Sequence, residues 1–213
     1  DMSDEYVEAT RRLVGEYCVC VFPNQNLSPE DQLEFVSRFG KITKTPGVDM
    51  RSGVDFVHVV ADRGDPDHPV SGGFHTDTCF VETPPSFSTL PAIEVPSHGG
   101  DTIFCNQYMA YDSLSDVMKS WLEGMRFKHV VSGTDRPEEV PDPVWHPAVR
   151  THPVTLRKAL YVTYADRCIE AEGLNPEEGK NLIDFLYIDS FRDRAMYRPR
   201  GNPGVFVVGD TRC

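Results

Sequence analysis

The sequence predicts one domain of mostly β structure with flanking helices. Three features predict it: short strand-like runs separated by Pro/Gly-rich turns, a few well-capped amphipathic helices between them, and a length and composition suited to one core. With 213 residues, 39% hydrophobic and 25% charged, the chain can bury a sizeable interior. No repeat or linker divides it, so residues 1–213 are expected to form a single domain. Many short strands in this pattern suit a jelly-roll barrel with helices packed outside.

The elements follow in order. Ser3 is placed to cap a first helix running to about Glu16, with Tyr6, Thr10, Leu13 and Val14 as its apolar stripe, and a strand is expected from Cys18 to Phe22. Ser28-Pro29 is a stronger start signal. Serine caps, proline takes the first helical position and Glu30-Asp31 sit at the positive end of the helix dipole; Leu33, Val36 and Phe39 form the buried face before Gly40. Strands are expected at Val54 to Val60, Phe87 to Val95, Thr102 to Cys105, Val149 to His152, Ala159 to Val162 and Val205 to Val208. Two helices interrupt them. One is capped by Ser113 and carries Leu114, Val117, Trp121 and Leu122; the other opens with Asn175-Pro176-Glu177-Glu178 and buries Leu182, Ile183, Phe185 and Leu186.

Charge and cysteine usage narrow the classes. A net charge of -12 with no basic stripe argues against a nucleic-acid partner. Purely apolar runs such as Cys18 to Phe22 are far too short to cross a bilayer, and no signal-peptide pattern opens the chain. The six cysteines contain no CxxC pair, which fits small buried hydrophobes in a reducing compartment better than a structural zinc site, so a cytoplasmic protein is expected. Cys79 stands two residues beyond Asp77, with core packing or oxidation near a metal as its alternatives. Assembly into a homo-oligomer stays open.

His75-Thr76-Asp77 carries the chemistry. Alternate residues of a strand point the same way and aim an imidazole and a carboxylate at one point. Two histidines and a carboxylate on one face of an iron leave the opposite positions open, the arrangement of non-haem Fe(II) oxygenases. Such a triplet arises by chance in roughly a third of chains with this many histidines. Its surroundings therefore matter.

The stretch GFHTDTCF, from Gly73 to Phe80, is followed by Pro84-Pro85, an apolar run and Gly99-Gly100-Asp101-Thr102. With LSPEDQLEFVSRFGKI from Leu27 to Ile42, FHTDTCFVETPPSFSTLPAIEVPSHGGDTIF from Phe74 to Phe104 and HPAVRTHPVTLRKALYV from His146 to Val162, this order resembles the taurine dioxygenase (TauD/TfdA) family of Fe(II)- and 2-oxoglutarate-dependent dioxygenases. The resemblance spans nearly the whole chain and is most specific in the middle block.

The resemblance implies a double-stranded β-helix (jelly roll, cupin-like), with His75 and Asp77 holding Fe(II), 2-oxoglutarate and O2 as co-substrates, and a small, anionic organic substrate hydroxylated with release of succinate and CO2. It implies that Thr102 hydrogen-bonds 2-oxoglutarate. The segment PGVFVVGDTRC, from Pro203 to Cys213, matches the turn that precedes the family's second metal histidine, so that third ligand is expected just beyond Cys213, together with the arginine that binds the co-substrate's far carboxylate. His146 and His152 precede proline in a segment the family uses structurally. Arg150 is either a partner for a carboxylate or a surface residue, and Arg194, Arg198 and Arg200 precede the metal turn. Ser71 and Lys44-Thr45-Pro46 replace the substrate-binding residues of the taurine enzymes, so taurine itself is not the expected substrate. The rivals are a cupin-type metalloenzyme that does not use 2-oxoglutarate and a non-catalytic jelly-roll binding module.

Overall fold

In the computed structural model, residues 3–48, 52–60, 73–132, 134 and 137–213 are described. Helix α1 (Asp4–Tyr17) starts at Ser3, whose hydroxyl accepts the Tyr6 N–H, and ends where Cys18 turns left-handed at φ 67°. Strand β1 (Val19–Phe22) follows, then α2 (Pro29–Ser37), which opens with the Ser28/Asp31 capping box. The central sheet is antiparallel. Its middle strand β10 (Phe206–Asp210) lies between β1 and β2 (Phe87–Pro91), with Gly209 opposite both Val19 and Ser88. Val14, Phe35, Phe206 and Val208 form the core beneath it, and Phe35 meets Phe206 edge-on at 5.6 Å. Each such side chain removed from water contributes roughly 1.5–3 kcal/mol.

A larger core lies among the other elements. Strand β4 (Arg126–His129) pairs with β5 (Val144–Pro147) on one side and β8 (Cys168–Ala171) on the other, while β6 (Val149–Thr151) and β7 (Lys158–Leu160) form a hairpin. Helix α3 (Gln107–Asp112) packs on β7, and α5 (Pro176–Asp189) packs on β8. Between them Leu122, Phe127, Leu160, Leu182, Ile183 and Leu186 are buried. The remaining elements are α4 (Asp116–Leu122) and the short pair β3 (Phe104–Cys105) and β9 (Met196–Tyr197). No helix among the described residues is long and apolar enough to cross a membrane.

Several expectations are corrected. Residues 52–56 form turns and bends and 57–60 carry no strand, so Val54 to Val60 is not one; Ser52 ties this segment locally by donating to the carbonyls of Val54 and Val57. The helix expected to be capped by Ser113 starts two residues later as α4, and a separate helix, α3, precedes it unforeseen. Asn106 caps α3, Ser113 closes it, and Ser115 caps α4 by accepting the Met118 N–H. Phe185 is 48% exposed rather than buried. Strand β2 stops at Pro91, short of Val95.

Candidate active site

His75, Thr76 and Asp77 do not lie in a paired strand. An irregular stretch over 74–76 runs into a turn over 77–80, in which Thr78 takes φ 52°. The two side chains converge nonetheless, because hydrogen bonds replace the pleat as the aiming device. The ring Nδ1 of His75 lies 2.8 Å from the Gly73 carbonyl, to which only an N–H can donate, and its Nε2 lies 3.3 Å from Asp77 Oδ1. Ser88 of β2 donates to the other carboxylate oxygen, Oδ2, at 2.6 Å. Thr45 and Thr78 share a hydroxyl hydrogen bond of 3.0 Å that pins the turn. On the other flank Phe74 stacks on Phe191 at 4.3 Å, and Phe191 meets Tyr187 edge-on at 4.4 Å.

This arrangement fits a metal. With Nδ1–H committed to Gly73, neutral His75 presents a lone pair at Nε2, opposite a carboxylate oxygen that is also an acceptor. Two acceptors 3.3 Å apart repel unless a positive charge sits between them. Cis ligands about 2.1 Å from an octahedral ion lie about 3 Å apart, close to this separation. The same geometry shifts both groups. When Nε2 carries a proton instead, it donates to Asp77, and that hydrogen bond raises the His75 pKa above its usual value, against desolvation and the Arg167 charge, so proton and metal compete for the same lone pair. Desolvation pushes the Asp77 carboxyl up, but the hydrogen bonds from His75 and Ser88, with the His75 and Arg167 charges, outweigh it and hold it below the usual carboxylate range.

The other nominated residues lie elsewhere. Cys79 is fully buried against Phe80 and Tyr161, and burial pushes its thiol up to about 11. Thr102 is exposed just ahead of β3. Arg150 places its guanidinium 4.4 Å from the Tyr161 ring centre, and Arg198 pairs with Asp101 at 3.0 Å. His146 Nε2 lies 2.9 Å from the Val81 carbonyl, between the rings of His129 and Tyr161. Ser71 lies outside the described residues.

A second cluster brings His152, Asp210 and Cys213 together with ligand atoms within 4.8 Å of one another. Metal binding there is opposed by the tautomer. Nδ1 of His152 accepts the backbone N–H groups of Val154 and Thr155, so the ring proton sits on Nε2 and is donated to Asp210 Oδ2 at 3.0 Å. Sequence reasoning missed Ser88 beside Asp77, Tyr164 edge-on to His75, and Arg167 and Ser132 against Tyr164, since each contact joins residues that no local pattern relates.

A model of the family "Taurine catabolism dioxygenase TauD, TfdA family" matches residues 1–213. The chain is 33% identical to the alpha-ketoglutarate-dependent 2,4-dichlorophenoxyacetate dioxygenase of Cupriavidus pinatubonensis, over 97% of this chain and 80% of that protein. It is 30% identical to the alpha-ketoglutarate-dependent sulfonate dioxygenase of Saccharomyces cerevisiae, over 100% of this chain and 56% of that protein. The crystal structure of a taurine dioxygenase from Burkholderia xenovorans matches with a TM-score of 0.80 at 26% identity, covering 100% of this chain and 73% of that one. The class is therefore an oxidoreductase, a dioxygenase that uses Fe(II), 2-oxoglutarate and O2. Within it, the chain belongs to the TauD/TfdA family.

Proposed function

We propose that His75 Nε2 and Asp77 Oδ1 are two protein ligands of the iron, that a histidine just beyond Cys213 is the third, and that the enzyme hydroxylates a small organic anion. The short antiparallel sheets with helices packed on them support a double-stranded β-helix of the jelly-roll kind as its fold. What carries this reading is the pair of facing acceptors 3.3 Å apart, each with its other polar atom tied back to protein.

The chain's own residues have defined tasks. Gly73 fixes the His75 tautomer through its carbonyl, so that Nε2 offers its lone pair. Ser88 holds Oδ2 and turns Oδ1 toward His75, and the depressed Asp77 pKa keeps that oxygen ionised at neutral pH. Phe74, Phe191 and Tyr187 wall one flank with rings that exclude water. Thr102 donates its hydroxyl to 2-oxoglutarate. The iron, when bound, supplies oxygen activation coupled to loss of CO2 from 2-oxoglutarate.

The substrate class follows from the relatives, one named for 2,4-dichlorophenoxyacetate and one for sulfonate. Taurine is disfavoured by Lys44-Thr45-Pro46. The cysteines are all free thiols, which suits work in a reducing cytoplasm.

The test is an anaerobic titration of the full-length protein with Fe(II) and 2-oxoglutarate, followed by the visible charge-transfer band of the chelate. The band is expected in the parent and lost in His75→Ala. A band of parental strength in the variant would remove His75 from the ligand set, and no band in the parent would favour a metalloenzyme that does not use 2-oxoglutarate or a binding module.

A further inference from the structure

We propose that Arg167 is the anion anchor of this site, receiving the carboxylate or sulfonate of a small-molecule ligand bound in front of His75 and Asp77. The inference rests on the iron-site reading above and names a residue that sets which ligands the site accepts.

The guanidinium is held from one edge only. Its Nε donates to Ser132 Oγ at 3.1 Å and its Nη2 to the Ser132 carbonyl at 3.3 Å. Of the five N–H donors of an arginine head, these contacts use two and leave three. The backbone is equally fixed: Arg167 N–H donates to the Tyr164 carbonyl at 2.9 Å, and the Arg167 carbonyl accepts from Val130 N–H at 3.0 Å. Its Cζ lies 5.3 Å from the Tyr164 ring centre, and the Tyr164 ring stands edge-on to His75 at 6.5 Å. Tyr164 is itself wedged against the segment entering His75, since a Cβ on Gly73 would come within 3.3 Å of its Cδ1. Ser132 closes the cluster with its Oγ 3.3 Å from the Tyr164 hydroxyl. A preorganised cation thus stands behind the Tyr164 ring, near enough for its charge to be felt at His75 and Asp77.

That cation makes no direct ion pair with a carboxylate among the described residues and reaches Asp77 only through space, although the chain carries 33 acidic residues against 21 basic ones. Its charge acts on His75, Asp77 and Cys79 alike. A fixed positive charge beside a dication site is unfavourable by itself, because like charges a few ångströms apart repel. Bound anions reverse the sign. The reaction supplies two sources of them, 2-oxoglutarate and the acidic group of the substrate, and a guanidinium fork matches the flat face of a carboxylate or the oxygens of a sulfonate. In a chain of net charge -12, attraction of an anion to this site needs a local cation of this kind.

The experiment uses the full-length protein with Fe(II), without oxygen, and compares parent, Arg167→Gln and Arg167→Lys. Dissociation constants are measured by calorimetry for 2-oxoglutarate, and, on the 2-oxoglutarate complex, for 2,4-dichlorophenoxyacetate, its neutral amide and an alkylsulfonate. Loss of one charge-assisted hydrogen-bonded contact weakens binding about 10- to 100-fold. Arg167→Gln is expected to show that loss for the anions while leaving the amide and the thermal midpoint near parental values, and Arg167→Lys to recover part of it. A loss confined to 2-oxoglutarate assigns the anchor to the co-substrate, and a loss confined to the other anions assigns it to the substrate. If every anion binds Arg167→Gln within about twofold of the parent, the anchor is overturned. A parent that binds no 2-oxoglutarate at all would instead overturn the iron-site reading.

Discussion

His152 Nε2 and Asp210 Oδ2 form a hydrogen bond of 3.0 Å whose two side chains are wholly removed from solvent. It ties the loop closing the β6–β7 hairpin to the end of β10, and helix α1 lies against it so closely that a Cβ on Gly15 would stand 3.2 Å from His152 Cε1. Asp210 also accepts from the Arg212 backbone N–H at 2.9 Å and from Arg212 Nε at 2.8 Å, so its charge is compensated inside the protein.

Removing one member of a buried charged network strands the others. Asp210→Asn and His152→Leu are each expected to lower stability by about 3–5 kcal/mol in urea unfolding, and the double variant by less than the sum. Single losses below about 1 kcal/mol would show that the pair is replaceable by solvent or repacking.

Ser88 gives a finer test of the site than its ligands do. Asp77→Asn should abolish succinate formation outright, whereas Ser88→Ala leaves the carboxylate present but frees Oδ2 to rotate. Loss of such an outer hydrogen bond costs about 10- to 100-fold in metal affinity. Fe(II) binding by Ser88→Ala should weaken within that range while its urea midpoint stays near parental. Unaltered affinity would mean that the turn over 77–80 alone orients Asp77.

Acid stability should be governed in part by His129. Both its ring nitrogens are buried without a hydrogen-bond partner among the described residues, and desolvation, aided by His146 and Arg150, lowers its pKa to about 3 from the ordinary 6.5. The unfolded chain therefore binds a proton below about pH 6.5 that the native state refuses, so stability is complete above that value and declines as pH falls toward 3. The limiting slope is about 1.4 kcal/mol per pH unit for one such group. His129→Leu comes close to the imidazole's volume without its polar atoms and is expected to match or exceed parental stability at pH 7 and to flatten the acid limb, with His146, lowered first by its own burial, retaining part of it. An unchanged slope between pH 7 and 4.5 would show that His129 finds a partner in solution.

The parts legible in the sequence are those with local causes. Ser3, Ser28 and Asn175 cap the helices expected of them, because a hydroxyl or amide three residues ahead of an amphipathic run satisfies free N–H groups wherever the helix later packs. Ser113 misled because Ser115, two residues on, offers the same chemistry, and packing of α3 against β7 and of Leu122 into the core chose between them. Strand β4 went unread since Lys128 and Arg126 interrupt its apolar pattern; they pair across the sheet with Glu170 at 2.8 Å and with Glu172, contacts invisible until β8 is in place. At the site, the His-x-Asp spacing was legible, but the support from Ser88 and the cation at Arg167 depend on the closed fold.

Thr102 is the remaining nominee, and its exposure makes it a clean probe. Substitution of an exposed residue ahead of β3 should change stability by no more than about 0.5 kcal/mol, so any kinetic effect reports on ligand binding. If its hydroxyl donates to a 2-oxoglutarate carboxylate, Thr102→Val removes one charge-assisted hydrogen bond and raises the KM for 2-oxoglutarate about 10- to 100-fold, while Thr102→Ser restores most of the parental value. A substrate KM that moves instead would place Thr102 on the substrate side of the iron. Parental constants for both ligands in Thr102→Val would reduce it to an ordinary residue after the Gly99-Gly100 turn, where both glycines take positive φ.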